Sequence, residues 1–413
     1  MAGNEGSNTT GNAAFAYPSF RFYMGARALV TAASEMQAVA VGWQVYSITG
    51  KALDLGLVGL AQFLPGILLF LVAGHTADRF PRRHILRCCY VAFAAISATL
   101  FALTLHGLHS VMPVYGVLLL NGVVRAFNTP ASQAFLPLVV PEDVFPNAVA
   151  WGMSVFQGAQ ILGPVIGGAV YGIAGNAAPV YAGSVLCSAG AFVFMSLLRT
   201  GTRARRPAPS GVIEGLRYLW RTKMVLGAIS LDMFAVLLGG AVALLPVFAK
   251  DVLHVGAGGL GVLRGAPGIG AVLMALLLAH RPLARRPGAV MLWCVAGFGL
   301  FTIVFGLSRN MALSLLALVL VGICDMVSVV VRHTLVQVAT PDEMRGRVSA
   351  VNSVFIGASN EVGQFESGLT AAWFGAVPAV ILGGIGTLVV VAVWATLFPD
   401  LRRAEHLQPN SPE

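Results

Sequence analysis

The 413-residue sequence predicts an all-α membrane protein: twelve membrane-spanning helices in two similar six-helix halves. Three observations predict it. The chain is 57% hydrophobic and only 10% charged, where soluble domains carry about a quarter charged residues. Spans of roughly 20 apolar residues with short connections use nearly the whole length. Finally, a shift of 200 residues superimposes 118–175 on 318–375.

Taken in order, the polar segment 1–18 has no basic n-region or cleavable apolar stretch, so it reads as a disordered cytoplasmic tail rather than a signal peptide. Apolar runs ending at Gly, Pro and charge clusters place helices at 21–49, 53–77, 85–106, 112–135, 144–174 and 178–198, forming an N-terminal half over 19–198. A basic, Pro-rich linker over 199–223 follows. It turns amphipathic from Val212 to Trp220, as a segment on the membrane surface does. Helices at 225–250, 257–280, 288–307, 311–338, 346–374 and 377–398 form the second half over 224–398, and a tail over 399–413 ends the chain.

Orientation follows from the basic residues. Alternate connections and the C-terminal tail hold 18 Lys and Arg, from Arg79 to Arg403, whereas the opposite connections hold only Lys51, Lys250 and Arg309. The basic set stays cytoplasmic, so both termini face the cytoplasm. The net charge of +9 belongs to these helix ends and does not indicate nucleic acid. Five cysteines, Cys88, Cys89, Cys187, Cys294 and Cys324, lie in or beside apolar runs without metal-ligand spacing, so neither disulfides, a metal nor another cofactor is implied.

The repeat matches Leu118, Gly122, Pro141, Gly163, Gly168 and Gly175 with Leu318, Gly322, Pro341, Gly363, Gly368 and Gly375. A shift of 202 places Pro65-Gly66-Ile67 on Pro267-Gly268-Ile269. Parallel duplication of this kind builds transporters around a mid-membrane site.

Nine ionisable residues besides His fall inside the spans: Arg27, Arg125, Arg264 and Arg332 against Glu35, Asp232, Asp325, Glu361 and Glu366. Left unpaired they would together cost on the order of 25 kcal/mol, so they must face one another or water. Counting depth at about 1.5 Å per residue places Glu35, Arg125 and Asp325 in a central cluster. The same count pairs Asp232 with Arg332 and puts Glu361 and Glu366 toward the outer side. Five acids against four bases leave at least one carboxylate without a full-time partner and free to carry a proton. Two readings fit: static ion pairs that fix packing, or proton coupling. The small-residue run through Gly163, Pro164, Gly167 and Gly168 likewise fits either tight packing or a gate.

These residues resemble the major facilitator superfamily over about 20–398. Gly74-His75-Thr76-Ala77-Asp78-Arg79-Phe80-Pro81-Arg82-Arg83 is similar to its cytoplasmic signature loop, with Pro81 where Gly is common. The resemblance implies that Asp78, Arg79 and Arg83 belong to a charge network that latches the cytoplasmic side in the outward-facing state, with Gly74 and Arg82 in the same gate. It makes Arg125 the buried arginine of proton coupling, and Gly163 to Gly168 an antiporter-type motif implying export. Gly42-Trp43-Gln44-Val45-Tyr46, Phe127-Asn128-Thr129-Pro130-Ala131 and Thr340-Pro341-Asp342-Glu343-Met344-Arg345-Gly346-Arg347-Val348 resemble the branch of enterobactin exporters and macrolide efflux proteins.

The expected function is therefore proton-driven export of a small amphiphilic molecule, a siderophore or a drug, by a monomer in the bacterial inner membrane. Glu35, Arg125 and Asp325 would carry the coupling, and Trp43, Gln44, Asn128, Gln133 and Arg332 are cavity candidates. Movement of a lysophospholipid or a metal ion without proton antiport is the second reading; a non-transporting scaffold or sensor is the third. No nucleotide-binding loop or nucleophile with its base is present, which speaks against an enzyme.

Overall fold

A computed structural model describes residues 13–198, 212–280 and 286–403. The first group of helices is α1 (Pro18–Thr49), α2 (Ala52–Arg79), α3 (Arg82–Leu105), α4 (Met112–Phe135), α5 (Phe145–Ala174) and α6 (Ala178–Leu197). The linker carries α7 (Val212–Arg221). The second group is α8 (Lys223–Gly239), the single turn α9 (Leu245–Val247), α10 (Gly256–His280), α11 (Pro287–Leu307), α12 (Met311–Ala339), α13 (Asp342–Phe374) and α14 (Ala376–Leu397), followed by α15 (Pro399–Arg403). Among the described residues nine segments are long and apolar enough to cross a membrane. Helices α1, α4 and α13 equal them in length but carry Arg27, Glu35, Arg125, Glu361 and Glu366.

Local chemistry sets the ends. Pro18 opens α1, where a missing N–H is harmless, and Gly50 closes it at φ 64° with its N–H on the Tyr46 carbonyl. Gly175 closes α5 in the same way at φ 71°. These are left-handed positions that glycine takes without strain.

Two segments depart from expectation. The helix expected over 225–250 stops at Gly239, continues as a 3-10 turn (Ala241–Leu244) and α9, and ends in a π turn (Phe248–Val252). Gly239 and Gly240 weaken the helix there, and Pro246 supplies no backbone donor. The freed Gly240 carbonyl accepts from Ser367 Oγ at 3.0 Å, as irregular backbone at membrane depth requires. The tail expected to be disordered over 1–18 is docked from residue 13 onward. A 3-10 turn spans Ala13–Ala16; Ala14 N–H donates to Asn147 Oδ1 at 3.1 Å, and Phe15 stands edge-on to Trp151. Residues 1–12, 199–211 and 404–413 of the expected tails and linker lie outside the described residues. Helix α7 forms where the amphipathic stretch was expected, with Leu219 buried among Val225, Val336, Val348 and Val351.

The apolar clusters show how the halves meet. One cluster, with Phe20, Tyr23, Leu86, Tyr90 and Phe135, lies within the first group of helices, and another, with Leu231, Met291, Val331 and Val390, within the second. A third joins both: Val39, Tyr46 and Leu55 pack with Leu244, Phe248, Leu260 and Ala379. It sits at the end of the bundle opposite the arginine-rich turns, so the halves are sealed there. Large apolar side chains such as Ile173, Leu186 and Trp293 are exposed on the outside, the face a bilayer would cover.

Candidate transport pathway and gate

Two seams close the end opposite the basic turns. In the first, α5 lies against α10: a Cβ added to Gly168 would come within 2.7 Å of the Ala257 carbonyl and of Gly261 Cα. In the second, α13 lies against α2: a Cβ on Gly368 would come within 2.7 Å of Gly56 Cα. The 200-residue repeat makes Gly168 and Gly368 equivalent, so one duplicated surface forms both seams. Gly163 and Gly363 repeat the relation inside each half, the first against Glu35 and Ala32 of α1, the second against Val236 and Leu237 of α8. Only glycine permits backbones this close. The antiporter-like run therefore packs against α1 through Gly163 and Gly167 and against the other half through Gly168.

Charged groups join the halves below the seams. Arg125 on α4 makes a 3.0 Å ion pair with Glu361 on α13 and also donates to Gln62 Oε1 at 3.3 Å. Gln62 also accepts from Asn121 Nδ2 at 3.2 Å. Glu35 on α1 lies 3.8 Å from Arg264 on α10. At the sealed end Tyr46 donates to the Asp251 carboxylate, with the Lys250 ammonium 5.4 Å over the tyrosine ring. Among the expected outer-side acids, Glu361 is thus the partner of Arg125, while Glu366 accepts from Thr370 Oγ1 at 2.7 Å.

The expected cluster of Glu35, Arg125 and Asp325 does not form. Each lies in a different group, because α10 and α13 bring Arg264 and Glu361 between them. Asp325 instead lines a small pocket inside the second half with Asp232, Ser328, Cys324 and Phe298. The expected Asp232–Arg332 pair is present and buried, with Ser328 Oγ 3.4 Å from the second carboxylate oxygen. It bridges α8 and α12 within one half, so Arg332 is not a cavity residue.

Gln44 is corrected in the same way. It is buried inside the first half, accepting from Tyr181 Oη at 2.8 Å and donating to Thr104 Oγ1 at 3.1 Å. Trp43 stands edge-on to Tyr171 and packs at the sealed end. Asn128 is half-buried with its Oδ1 unpartnered, and Gln133 is exposed.

At the basic end the signature loop stays within its own half. Arg83 donates to the carbonyls of Met195 and Ser196 at 3.2 and 2.8 Å, and Arg82 to that of Ala134 at 3.0 Å. Both serve the C-terminal carbonyls of neighbouring helices, the groups left open at a helix end. Arg79 is exposed, a Cβ on Gly74 would meet nothing, and the Asp78 side chain lies outside the described residues. Sequence reasoning missed Gln62, although the 202-residue shift that aligns Pro65 with Pro267 also aligns Gln62 with Arg264. It missed Asp251 as well, which the broken seventh span carries to Tyr46. Among the described residues no group of His, Cys, Asp and Glu has the makings of a metal site.

Two duplicated halves, glycine seams at one end and ion pairs crossing the middle are the parts of a rocker-type transporter. The transmembrane secretion effector family matches residues 9–412. The chain belongs to this family of major facilitator transporters. The member described here is 26% identical over 409 residues to the enterobactin exporter EntS of Shigella boydii serotype 4 (strain Sb227), covering 95% of each chain. It has the same identity and coverage to that of Escherichia coli O81 (strain ED1a). A bacterial homologue of the human lysosomal transporter Spinster, inward-facing and unoccupied, superposes with TM-score 0.71 at 14% identity, covering 93% of this chain and 98% of that one. The D-xylose–proton symporter gives 0.71 at 12% identity, with 94% and 99% covered. These likenesses establish the fold; the relatives identify a membrane transporter rather than an enzyme.

Proposed function

We propose that the protein exports a small amphiphilic molecule, a siderophore or drug, across the bacterial inner membrane in exchange for protons. In this reading all twelve long helices span the membrane, both termini and the basic turns face the cytoplasm, and the halves rock as a monomer. The observation that carries it is the pair of inter-half ion pairs, Arg125–Glu361 and Glu35–Arg264, beneath seams that must part for cargo to leave.

A proton on Glu361 or Glu35 removes the attraction that draws the halves together at those points. The balance then shifts toward the state open on the far side. Deprotonation restores the pairs and the seal. Asp325 supplies a second carboxylate beside Asp232, so both compete for the single guanidinium of Arg332. When the outer seams part, the cytoplasmic side closes, where the family resemblance implies a latch through Asp78 and Arg83. The 26% identity to enterobactin exporters supports a siderophore as cargo.

Inside-out vesicles containing the protein, with an imposed pH gradient, test this. One compound from a panel of siderophores, macrolides and lysophospholipids should dissipate the gradient with the unaltered protein and fail with Glu361→Gln or Glu35→Gln. Lipid or metal flux without any proton movement would reject antiport.

A further inference from the structure

Four arginines lie inside the spans, and three have carboxylate partners: Arg125 with Glu361, Arg264 with Glu35 and Arg332 with Asp232. The fourth, Arg27, has none among the described residues. Its guanidinium carbon lies 5.5 Å over the centre of the Phe156 ring on α5. It stands nine residues into α1, about 14 Å along the helix. An intramembrane guanidinium without a counter-charge is costly and faces water or a ligand.

The face it occupies is defined by helical spacing. Arg27, Thr31, Ser34, Glu35 and Ala38 form one partly or fully exposed stripe of α1, while Val30, Ala33, Met36, Gln37 and Ala40 are buried in the first half. Glu35 on this stripe reaches Arg264 of the other half, so the stripe faces the space between the halves. Helix α5 follows the same course. Its Gly168 and Ile161 touch α10, and Gln157 is near Gly268. Nearer the basic end of α5, Met153 and Phe156 are 61% and 38% exposed.

We propose that Arg27 and Phe156 form a cargo subsite for an anionic group carried on a flat apolar ring. This rests on the reading of the protein as an amphiphile exporter. The aromatic ring covers one face of the guanidinium, and the N–H groups at its edge remain available. They would donate to a carboxylate or other oxyanion in the water-poor cavity. The ring of the cargo would lie beside Met153 and the exposed part of Phe156. Neutralisation by cargo would supply the counter-charge that Arg27 lacks among the described residues.

Equilibrium binding of three matched probes tests the subsite: 1-naphthoate, neutral 1-naphthamide and cationic 1-naphthylmethylammonium, with the full-length protein in nanodiscs. The unaltered protein should bind the anion at least about tenfold more tightly than either of the others, as a charge-assisted bond implies. Arg27→Gln should bring the ratio to about one, Arg27→Lys should retain part of it, and Phe156→Ala should weaken all three. Equal binding by the unaltered protein, absence of saturable 1-naphthoate binding, or a preference kept by Arg27→Gln would overturn the subsite. If Arg27→Gln does not fold, an anion preference undiminished in Arg27→Lys, or binding of all three probes unweakened in Phe156→Ala, would overturn the subsite. Gradient-driven uptake by the unaltered protein with no anion preference would leave export standing and remove this inference alone.

Discussion

The Arg125 guanidinium on α4 and the Glu361 carboxylate on α13 meet at 3.0 Å across the boundary between the halves. Arg125 is 47% exposed and Glu361 14%, so water screens the pair and its contribution is nearer to 1 kcal/mol than to that of a buried bridge. A difference of that size shifts a two-state balance about fivefold. Glu361→Gln should therefore populate the state open at the sealed end roughly fivefold more. Spin labels at Lys51→Cys and Arg309→Cys, both exposed at that end in opposite halves, should report it as a growing long-distance population. An unchanged distribution would show that the pair does not hold the seal.

Gly168→Val acts on the seam itself. The added carbons meet the α10 backbone at Ala257 and Gly261, which has no flexible side chain to yield. The same labels should move apart more completely than with Glu361→Gln, and transport should fall at least about tenfold, since a barrier change near 1.4 kcal/mol suffices. The valine variant transporting at the normal rate would mean that this seam does not have to close.

Inside the second half the stakes are higher. Asp232 and Arg332 are buried, at 5% and 2% exposure; removing Asp232 leaves Arg332 with only the neighbouring Asp325, and removing Arg332 leaves two carboxylates in a low-dielectric core. Asp232→Ala or Arg332→Ala should cost about 3–5 kcal/mol. Replacing both with apolar residues of similar volume should recover most of the loss. Thermal unfolding in detergent checks the order: each single variant well below the double.

The ion pair between Arg347 on α13 and Glu214 on α7 offers the contrast. Glu214 is 56% exposed, so Glu214→Ala should cost under about 1 kcal/mol. Leu219 on the same helix is 1% exposed, and Leu219→Ala should cost about 2–5 kcal/mol by leaving a cavity. Limited proteolysis of the linker should then become faster for the leucine variant and stay unchanged for the glutamate variant.

Much of the architecture follows from the linear sequence. Apolar runs, terminal Gly and Pro residues and the repeat locate the helices to within a few residues, apart from the seventh, which breaks at Gly239, because bilayer thickness and backbone hydrogen bonding leave few alternatives. Pairing of Asp232 with Arg332 was legible for a related reason: two charges of opposite sign at one depth have little else to bond.

Three-dimensional packing decided the rest. Depth along a helix says nothing about rotation around it, so Glu35, Arg125 and Asp325, which counting along the helices puts at one level, point into three different environments. Gln44 is polar and near the middle of the sequence motif, but its face of α1 turns inward to Tyr181. The glycine run of α5 fitted either a static contact or a gate. Its place between α1 and α10 came only with the docking of two halves that the sequence treats as separate, because inter-half contacts depend on which end of the bundle is closed. The position of Arg27 emerged in the same way: counting showed more acids than bases, whereas among the described residues the folded arrangement gives Arg27 no carboxylate and sets it beside Phe156.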